Sequence, residues 1–360
     1  MTWVEQKLRQ LESKGIRRAL PPIEGGGLCF ASNDYLDLSC NELVKQASID
    51  ATIRFGCSGR SSRLLQQVCD LYEQLEQALS CFLGYEKILL FGSGYLANFG
   101  VFNAITQRND CIFEDRLNHA SLIDATRNTP AKVYRYTHND PRDLEKKLQQ
   151  TPCSGNRLIV TDSLFSMDGD IAPLKDLERI AKKYQALLIV DEAHAIGPFS
   201  GGLCQRAGIK PDIITGTLSK ALCSYGGFAA TSEPLYQLML SLSRTGIFST
   251  ALPPACAAAA LQALKIITSS PKMAAPLLEN AQYFHTLLGS DRIAQIVPVI
   301  VTGNARAQEL SALLKEEGIH VPAIRPPTVP EHTARLRFSL RLSHTKEDLT
   351  RVAQLLKEHL

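Results

Sequence analysis

The chain has 360 residues, 45% of them hydrophobic and 21% charged, with a formal net charge of +3. That size and composition suit a large globular domain with a smaller companion. The near-neutral balance, without basic runs, speaks against nucleic-acid binding. The most apolar long stretch, 255–267, is too short to span a bilayer and carries Gln262 and Lys265, so no membrane partner is expected either. The residues after Met1 lack the apolar core of a secretory signal, and the ten cysteines are scattered with no Cys-x-x-Cys pair. The expectation is a cytoplasmic protein with reduced thiols and no metal site.

In chain order, residues 1–20 have the spacing of an amphipathic helix, which Pro21-Pro22 and Gly25-Gly26-Gly27 would break. A short strand at 28–30 and the turn Ser32-Asn33-Asp34-Tyr35 follow. From about residue 70 strands and helices alternate. Strands are predicted at 88–91, 111–114, 132–136, 157–161, 187–190, 213–216 and 228–230, with helices such as 71–82 and 174–184 between them. Several of these strands are short, continuous apolar runs, the pattern of parallel strands covered on both faces. The pattern changes at Ser269-Ser270-Pro271, after which 281–288, 296–301, 307–317, 335–340 and 346–359 suggest a smaller α+β domain. The expected division is an N-terminal helix and arm over 1–45, a large α/β domain with a mostly parallel central sheet over 46–268, and a small α+β domain over 269–360.

The chemistry-bearing residues stand at the ends of these strands. Thr217-Leu218-Ser219-Lys220-Ala221-Leu222 places a lysine after an apolar strand, among small residues, with Gly226-Gly227 close behind. Small residues allow a bulky ligand near the backbone. A solvated surface lysine is the ordinary alternative. Ile189-Val190-Asp191-Glu192-Ala193-His194 ends another strand in an acid and a histidine. Asp191 sits where open α/β sheets bind ligands. Its structural alternative is a helix cap. Glu192, one residue on, should point to the opposite side and is assigned no chemistry. A lysine to form an imine, an acid to pair with a pyridine nitrogen and a nearby histidine are what a pyridoxal 5'-phosphate enzyme requires.

Further residues fit that reading. His119, in Asn118-His119-Ala120-Ser121, follows a predicted strand and could stack on the ring. His194 could hydrogen-bond the phenolic oxygen. Phe91-Gly92-Ser93-Gly94-Tyr95-Leu96-Ala97-Asn98 reads as strand, glycine turn and helix start, whose free N–H groups can hold a phosphate. It lacks the third glycine of the dinucleotide fingerprint. Thr217 adds a hydroxyl beside the lysine. Ser166, in Phe165-Ser166-Met167-Asp168-Gly169-Asp170, is a site contact or simply a turn residue.

These segments, with Ser32-Asn33-Asp34-Tyr35-Leu36, span nearly the whole chain, and the chain resembles the α-oxoamine synthases. These are fold-type-I pyridoxal-phosphate enzymes, of the aminotransferase class I/II fold, that condense an amino acid with an acyl-CoA. The stretch Ala323-Ile324-Arg325-Pro326-Pro327-Thr328-Val329-Pro330, then Thr333-Ala334-Arg335-Leu336-Arg337, resembles the branch that joins L-alanine to a pimeloyl thioester. The resemblance implies that Lys220 carries the cofactor, that Asp191 pairs with the ring nitrogen, that His119 stacks and that His194 meets the phenolic oxygen. It implies that Gly94, Tyr95 and Thr217 hold the cofactor. Ser249 and Thr250, in Phe248-Ser249-Thr250-Ala251, would reach the phosphate of a partner subunit in a homodimer with a shared active site. Arg337 would bind the amino-acid carboxylate, with Arg17 and Thr328 also at substrate. Pimeloyl-CoA and a pimeloyl carrier protein both remain open as donor. So does another amino acid or acyl chain within the family, and a catalytically silent binding protein is the alternative from another class.

The sequence departs from the family pattern in places. Tyr72 replaces the histidine before Leu-Glu, and glycines are absent around Gln66-Gln67. Ala195 replaces a glycine, Pro198-Phe199-Ser200-Gly201-Gly202 alters the next turn, and Ser219 stands where glycine is common.

Overall fold

The structure is a computed structural model and describes residues 2–13, 16–18, 20 and 26–360. Its strands are β1 (Leu28–Cys29), β2 (Lys87–Phe91), β3 (Cys111–Asp115), β4 (Lys132–Tyr136), β5 (Arg157–Asp162), β6 (Leu187–Asp191), β7 (Ile213–Thr217), β8 (Gly227–Thr231), β9 (Ile296–Ile300), β10 (Ile319–His320), β11 (Ala323–Ile324) and β12 (Arg335–Ser339). The chain forms two compact units. One comprises Asp34–Ser166 and Asp170–Ala275, the other Met1–Asn33, Met167–Gly169 and Pro276–Leu360.

The larger unit is built on a seven-stranded sheet in the order β2-β8-β7-β6-β5-β3-β4. Only β8 runs against its neighbours, pairing antiparallel with both β2 and β7. The rest share one direction, so β2, β3, β5, β6 and β7 all deliver their C-terminal ends to one edge. Their apolar runs are buried, with only Leu187 at the start of β6 partly exposed, as expected of strands covered on both faces. The helix Gly94–Ile105 buries Ala97, Val101 and Phe102 in a cluster with Ile112, Leu158 and Ile189. The Ala-rich stretch forms the helix Pro254–Ser269, which buries nine of its residues, Ala257 and Leu264 among them.

Glu192 has a structural task. Its buried carboxylate accepts from Ser163 Oγ at 2.8 Å and from the backbone N–H groups of Leu203 (3.0 Å) and Cys204 (2.6 Å) at the start of the helix Leu203–Ala207. The same carboxylate shapes the turn before that helix. Gly202 has φ +108°, and a Cβ there would stand 2.7 Å from Glu192 Oε2.

His138 ties the end of β4 to the turn after Phe165. Its Nδ1 meets Asp115 at 2.9 Å and its Nε2 meets Asp170 at 2.7 Å. Burial alone would lower its pKa, but the two hydrogen-bonded carboxylates prevail and push it up to about 9. A histidine raised above its unfolded value stabilises fully below about pH 6.5, and that contribution is lost as pH rises through about 9. His138→Gln should therefore cost on the order of 3 kcal/mol at pH 6 and much less at pH 10. Melting curves at the two pH values check this. An equal loss at both would show that charge plays no part.

The smaller unit holds the antiparallel sheet β11-β12-β9 and the parallel pair β1-β10. Phe30 meets Phe338 at 5.1 Å, and Phe284 meets Phe338 at 5.4 Å, both edge to face. This aromatic cluster explains a difference from the expected division. Residues before Asp34 group with the C-terminal segment instead of forming a separate arm over 1–45. The N-terminal helix is shorter than expected, Trp3–Ser13. Pro21, Pro22 and Gly25, expected to break it, lie outside the described residues. The last helix, Lys346–His359, opens with a capping box between Thr345 and Asp348.

Candidate active site

The C-terminal edge of the large sheet gathers most of the expected residues. Asp191 ends β6 with only 6% of its surface exposed. Its Oδ2 accepts from Asn98 Nδ2 at 2.8 Å, and its Oδ1 from the Ala193 N–H at 2.8 Å. One oxygen thus caps the local backbone, while the other is oriented by the helix that follows the glycine turn. Asn98 Nδ2 also donates to Ser121 Oγ at 2.8 Å, and Ser121 Oγ meets His119 Nδ1 at 2.7 Å. A polar chain therefore runs from Asp191 to His119.

His119 caps the helix Ala120–Arg127, and its N–H donates to Asp162 Oδ2 at 2.7 Å. Its surface is exposed, yet protein atoms crowd the ring, and this desolvation lowers its pKa. Asp191 opposes the shift and Lys220 adds to it. Asp162, fully enclosed at the end of β5, stands directly beside Asp191 in register. Burial and then the Asp191 charge raise its carboxyl well above the usual range, while the His119 N–H and Lys220 act the other way. Lys220 is thus within electrostatic reach of both groups.

Lys220 is half-buried in the turn that follows β7. The turn is held by the Leu218 N–H on Gly226 O at 3.0 Å, the Ser224 N–H on Leu218 O at 2.8 Å and the Cys223 N–H on Lys220 O at 2.9 Å. Thr217 Oγ1 donates to Gly226 O at 3.0 Å and meets Ser219 Oγ at 2.7 Å. His194, also buried, pairs through Nδ1 with Tyr35 OH at 2.6 Å.

The glycine turn lies against this group. Ser93 caps the helix Gly94–Ile105 by accepting from the Leu96 N–H. A Cβ on Gly94 would stand 3.3 Å from Thr217 Cβ, and one on Gly227 would stand 2.3 Å from Ser93 C. Gly94 lets the first turn of the helix lie close to the end of β7, and Gly227, at the start of β8, lets that strand lie against Ser93. Tyr95 is 42% exposed and donates to Asp124 Oδ2 at 2.5 Å. Ser249 and Thr250 line a small cleft with Gly92, Arg63 and Tyr72. Ser166 is half-buried in the turn after β5.

The remaining expected residues belong to the smaller unit. Arg337 is buried, and its Nη1 donates to Ser339 Oγ at 2.6 Å and to Asn33 Oδ1 at 3.3 Å. Arg17 is exposed and pairs with Glu12 at 3.0 Å. Thr328 accepts from Arg18 at 2.8 Å, so in this unit the neighbour of Arg17 is the residue that meets it.

Three further residues of the site carry no strong sequence signal. Asn98 and Ser121 are common helix residues, and only the fold joins them to Asp191. Asp162 had a weaker signal, an acid ending an apolar strand like Asp191 itself.

Residues 26–356 match the family model for class I and II aminotransferases. The chain belongs to the class I and II aminotransferase family. This aminotransferase-family chain is 38% identical to an 8-amino-7-oxononanoate synthase of Lysinibacillus sphaericus, over 98% of this chain and 96% of the relative. It is 39% identical to one from Citrifermentans bemidjiense, over 98% and 97%. Among solved structures it is similar to a serine palmitoyltransferase from S. paucimobilis with bound PLP and myriocin, at TM-score 0.92, 26% identity and coverage of 99% and 96%. It is also similar to an 8-amino-7-oxononanoate synthase from Francisella tularensis, at TM-score 0.80, 28% identity and coverage of 92% and 97%. The fold is that of the fold-type-I pyridoxal-phosphate transferases, and the chain is a pyridoxal-phosphate-dependent acyltransferase. The residues fit that cofactor. The glycine-lined approach of Ser93-Gly94 to Thr217 leaves backbone N–H groups for a phosphate. Asp191 offers a buried carboxylate at the same edge as Lys220 and His119. No described helix is long and apolar enough to cross a membrane.

Proposed function

We propose that this chain condenses L-alanine with a pimeloyl thioester, carried on CoA or a carrier protein, to give 8-amino-7-oxononanoate, carbon dioxide and free thiol in biotin biosynthesis. The observation that carries the reading is the nearly full-length likeness to 8-amino-7-oxononanoate synthases, in a chain whose Lys220 and Asp191 both stand within electrostatic reach of His119. The enzyme works in the cytoplasm as a homodimer, with Ser249 and Thr250 of one copy reaching the phosphate site of the other.

Pyridoxal 5'-phosphate, when bound, supplies a sink for the charge that develops at the alanine α-carbon. Lys220 would anchor the cofactor, and its Nζ is the group that would take the α-proton and return one. Asp191, oriented by Asn98 and the Ala193 N–H, keeps the ring nitrogen protonated. His119 covers one face of the ring, held by its own N–H on Asp162. Because its pKa is lowered, it stays neutral and does not compete with the ring nitrogen for the Asp191 charge. His194, oriented by Tyr35, would supply a hydrogen bond to the phenolic oxygen of the cofactor and to the carbonyl oxygen of the substrate. Gly94, Tyr95 and Thr217 hold the cofactor, and Ser166 contacts it. Arg337 grips the alanine carboxylate, with Arg17 and Thr328 toward the substrate.

Mass spectrometry of the product from L-alanine and pimeloyl-CoA tests the proposal. The likeness to a serine palmitoyltransferase favours a second reading, serine with a longer acyl chain, and the product mass separates the two. Absence of product with every pair tried would reject both.

Arg337→Lys should raise the alanine dissociation constant by about tenfold or more, because a guanidinium grips a carboxylate with two parallel hydrogen bonds and an ammonium does not. Spectral titration with alanine, beside a melting curve, checks this. A lower melting point with unchanged alanine affinity would assign Arg337 to structure alone.

A further inference from the structure

Tyr72 stands where the resembling family carries histidine, and the function above gives it no role. It lies in the first turn of the helix Leu71–Leu83, whose buried face is Tyr72, Leu75, Leu79 and Leu83. A phenol enclosed this fully needs a hydrogen-bond partner. Tyr72 OH donates to the backbone oxygen of Leu252 at 2.5 Å. The Arg63 guanidinium lies over its ring, 5.2 Å from the centroid, and pairs with Glu76 through both nitrogens.

Leu252 follows directly on Ser249-Thr250-Ala251. The same short backbone is held from two other points. The Ala251 N–H donates to Ser61 O at 2.9 Å. Gly59 packs so closely that a Cβ there would stand 2.4 Å from Ala251 O. Residues 251 and 252 are therefore fixed by 59, 61 and 72. By contrast, the Ser249 and Thr250 hydroxyls have no protein hydrogen-bond partner among the described residues, and both line the cleft that Gly92 and Tyr72 also line. A rigid backbone presenting uncommitted hydroxyls suits the oxygen atoms of a phosphate monoester.

We infer that Tyr72 is a positioning residue that sets the backbone at Leu252 so that Ser249 and Thr250 meet the cofactor phosphate. The inference rests on the reading that these two hydroxyls contact that phosphate. It predicts an effect on the phosphate end of the ligand and none on the ring end.

The test titrates full-length apoprotein with pyridoxal 5'-phosphate and, separately, with pyridoxal. Tyr72→Phe should weaken pyridoxal 5'-phosphate about three- to tenfold, the size of one hydrogen bond, and leave pyridoxal unchanged. Gly59→Ala displaces Ala251 from the other side and should show the same selective loss, which guards against a fault peculiar to the phenylalanine variant. Paired Ser249→Ala and Thr250→Ala should show it more strongly. Equal weakening of both ligands in Tyr72→Phe, or weakening of neither, overturns the inference while leaving the phosphate reading intact. If the paired serine and threonine variant discriminates as wild type does, the phosphate reading itself is wrong, and the role of Tyr72 falls with it.

Discussion

Lys220→Ala should lower the condensation rate by at least about four orders of magnitude, since it removes both the covalent anchor and the amine that moves the α-proton. The fold should survive. The turn carrying Lys220 is held by the backbone bonds of Leu218, Cys223 and Ser224 and by the Thr217 hydroxyl, none of which involves the lysine side chain. Two electrostatic changes should follow. Asp162 loses a neighbouring cation that holds its pKa down, so its carboxyl shifts further up, while His119 loses a cation that lowers its own pKa and shifts up as well. The decisive measurement is borohydride trapping of the bound cofactor in the wild-type enzyme, followed by peptide mapping. A tag on any lysine other than Lys220, or a Lys220→Ala rate within tenfold of wild type, would reject the assignment.

Asp191→Asn should slow exchange of the alanine α-proton into deuterated water by roughly two to three orders of magnitude, because each pKa unit of lost ring protonation is worth about 1.4 kcal/mol, or a factor of ten. The geometry explains why this substitution isolates charge from shape. In the native site both carboxylate oxygens accept hydrogen bonds, one from Asn98 and one from the Ala193 N–H. An amide at 191 keeps one acceptor and turns the other into a donor. Among the described residues the buried Asn98 Oδ1 has no hydrogen-bond partner, so the Asn98 amide can rotate and accept from the new donor. The melting temperature should hence fall little while exchange slows greatly. Wild-type exchange in the variant would remove Asp191 from the role.

How much was legible in advance follows from what each signal depends on. The strands of the large sheet were readable because burial on both faces demands continuous apolar runs, as in β3, β6 and β7. The placement of Asp191 and Thr217 at strand ends was readable because each closes such a run. Asp162 was not singled out, since its importance comes from the β5–β6 register that sets it beside Asp191. Asn98 was equally silent, as an amide in a helix says nothing about the carboxylate it will face across a fold. The grouping of Phe30 with Phe338 was missed for the same reason in stronger form. Local pattern placed residues 1–45 together, whereas the contact that decides their fate lies some three hundred positions away.

That pairing bears on how the protein is made. Strand β1 finds its partner β10 through Leu28 and Ile319, closing a loop of about 290 residues. Loop closure of that length opposes the contact by about 5 kcal/mol. During synthesis the first segment must wait, its strand edge unmatched, until the final stretch leaves the ribosome. The seven-stranded sheet needs nothing beyond Thr231 and can assemble meanwhile. A nascent chain halted near residue 280 should therefore resist protease across the sheet while remaining open to cleavage around Leu28, and release of the full chain should close that window.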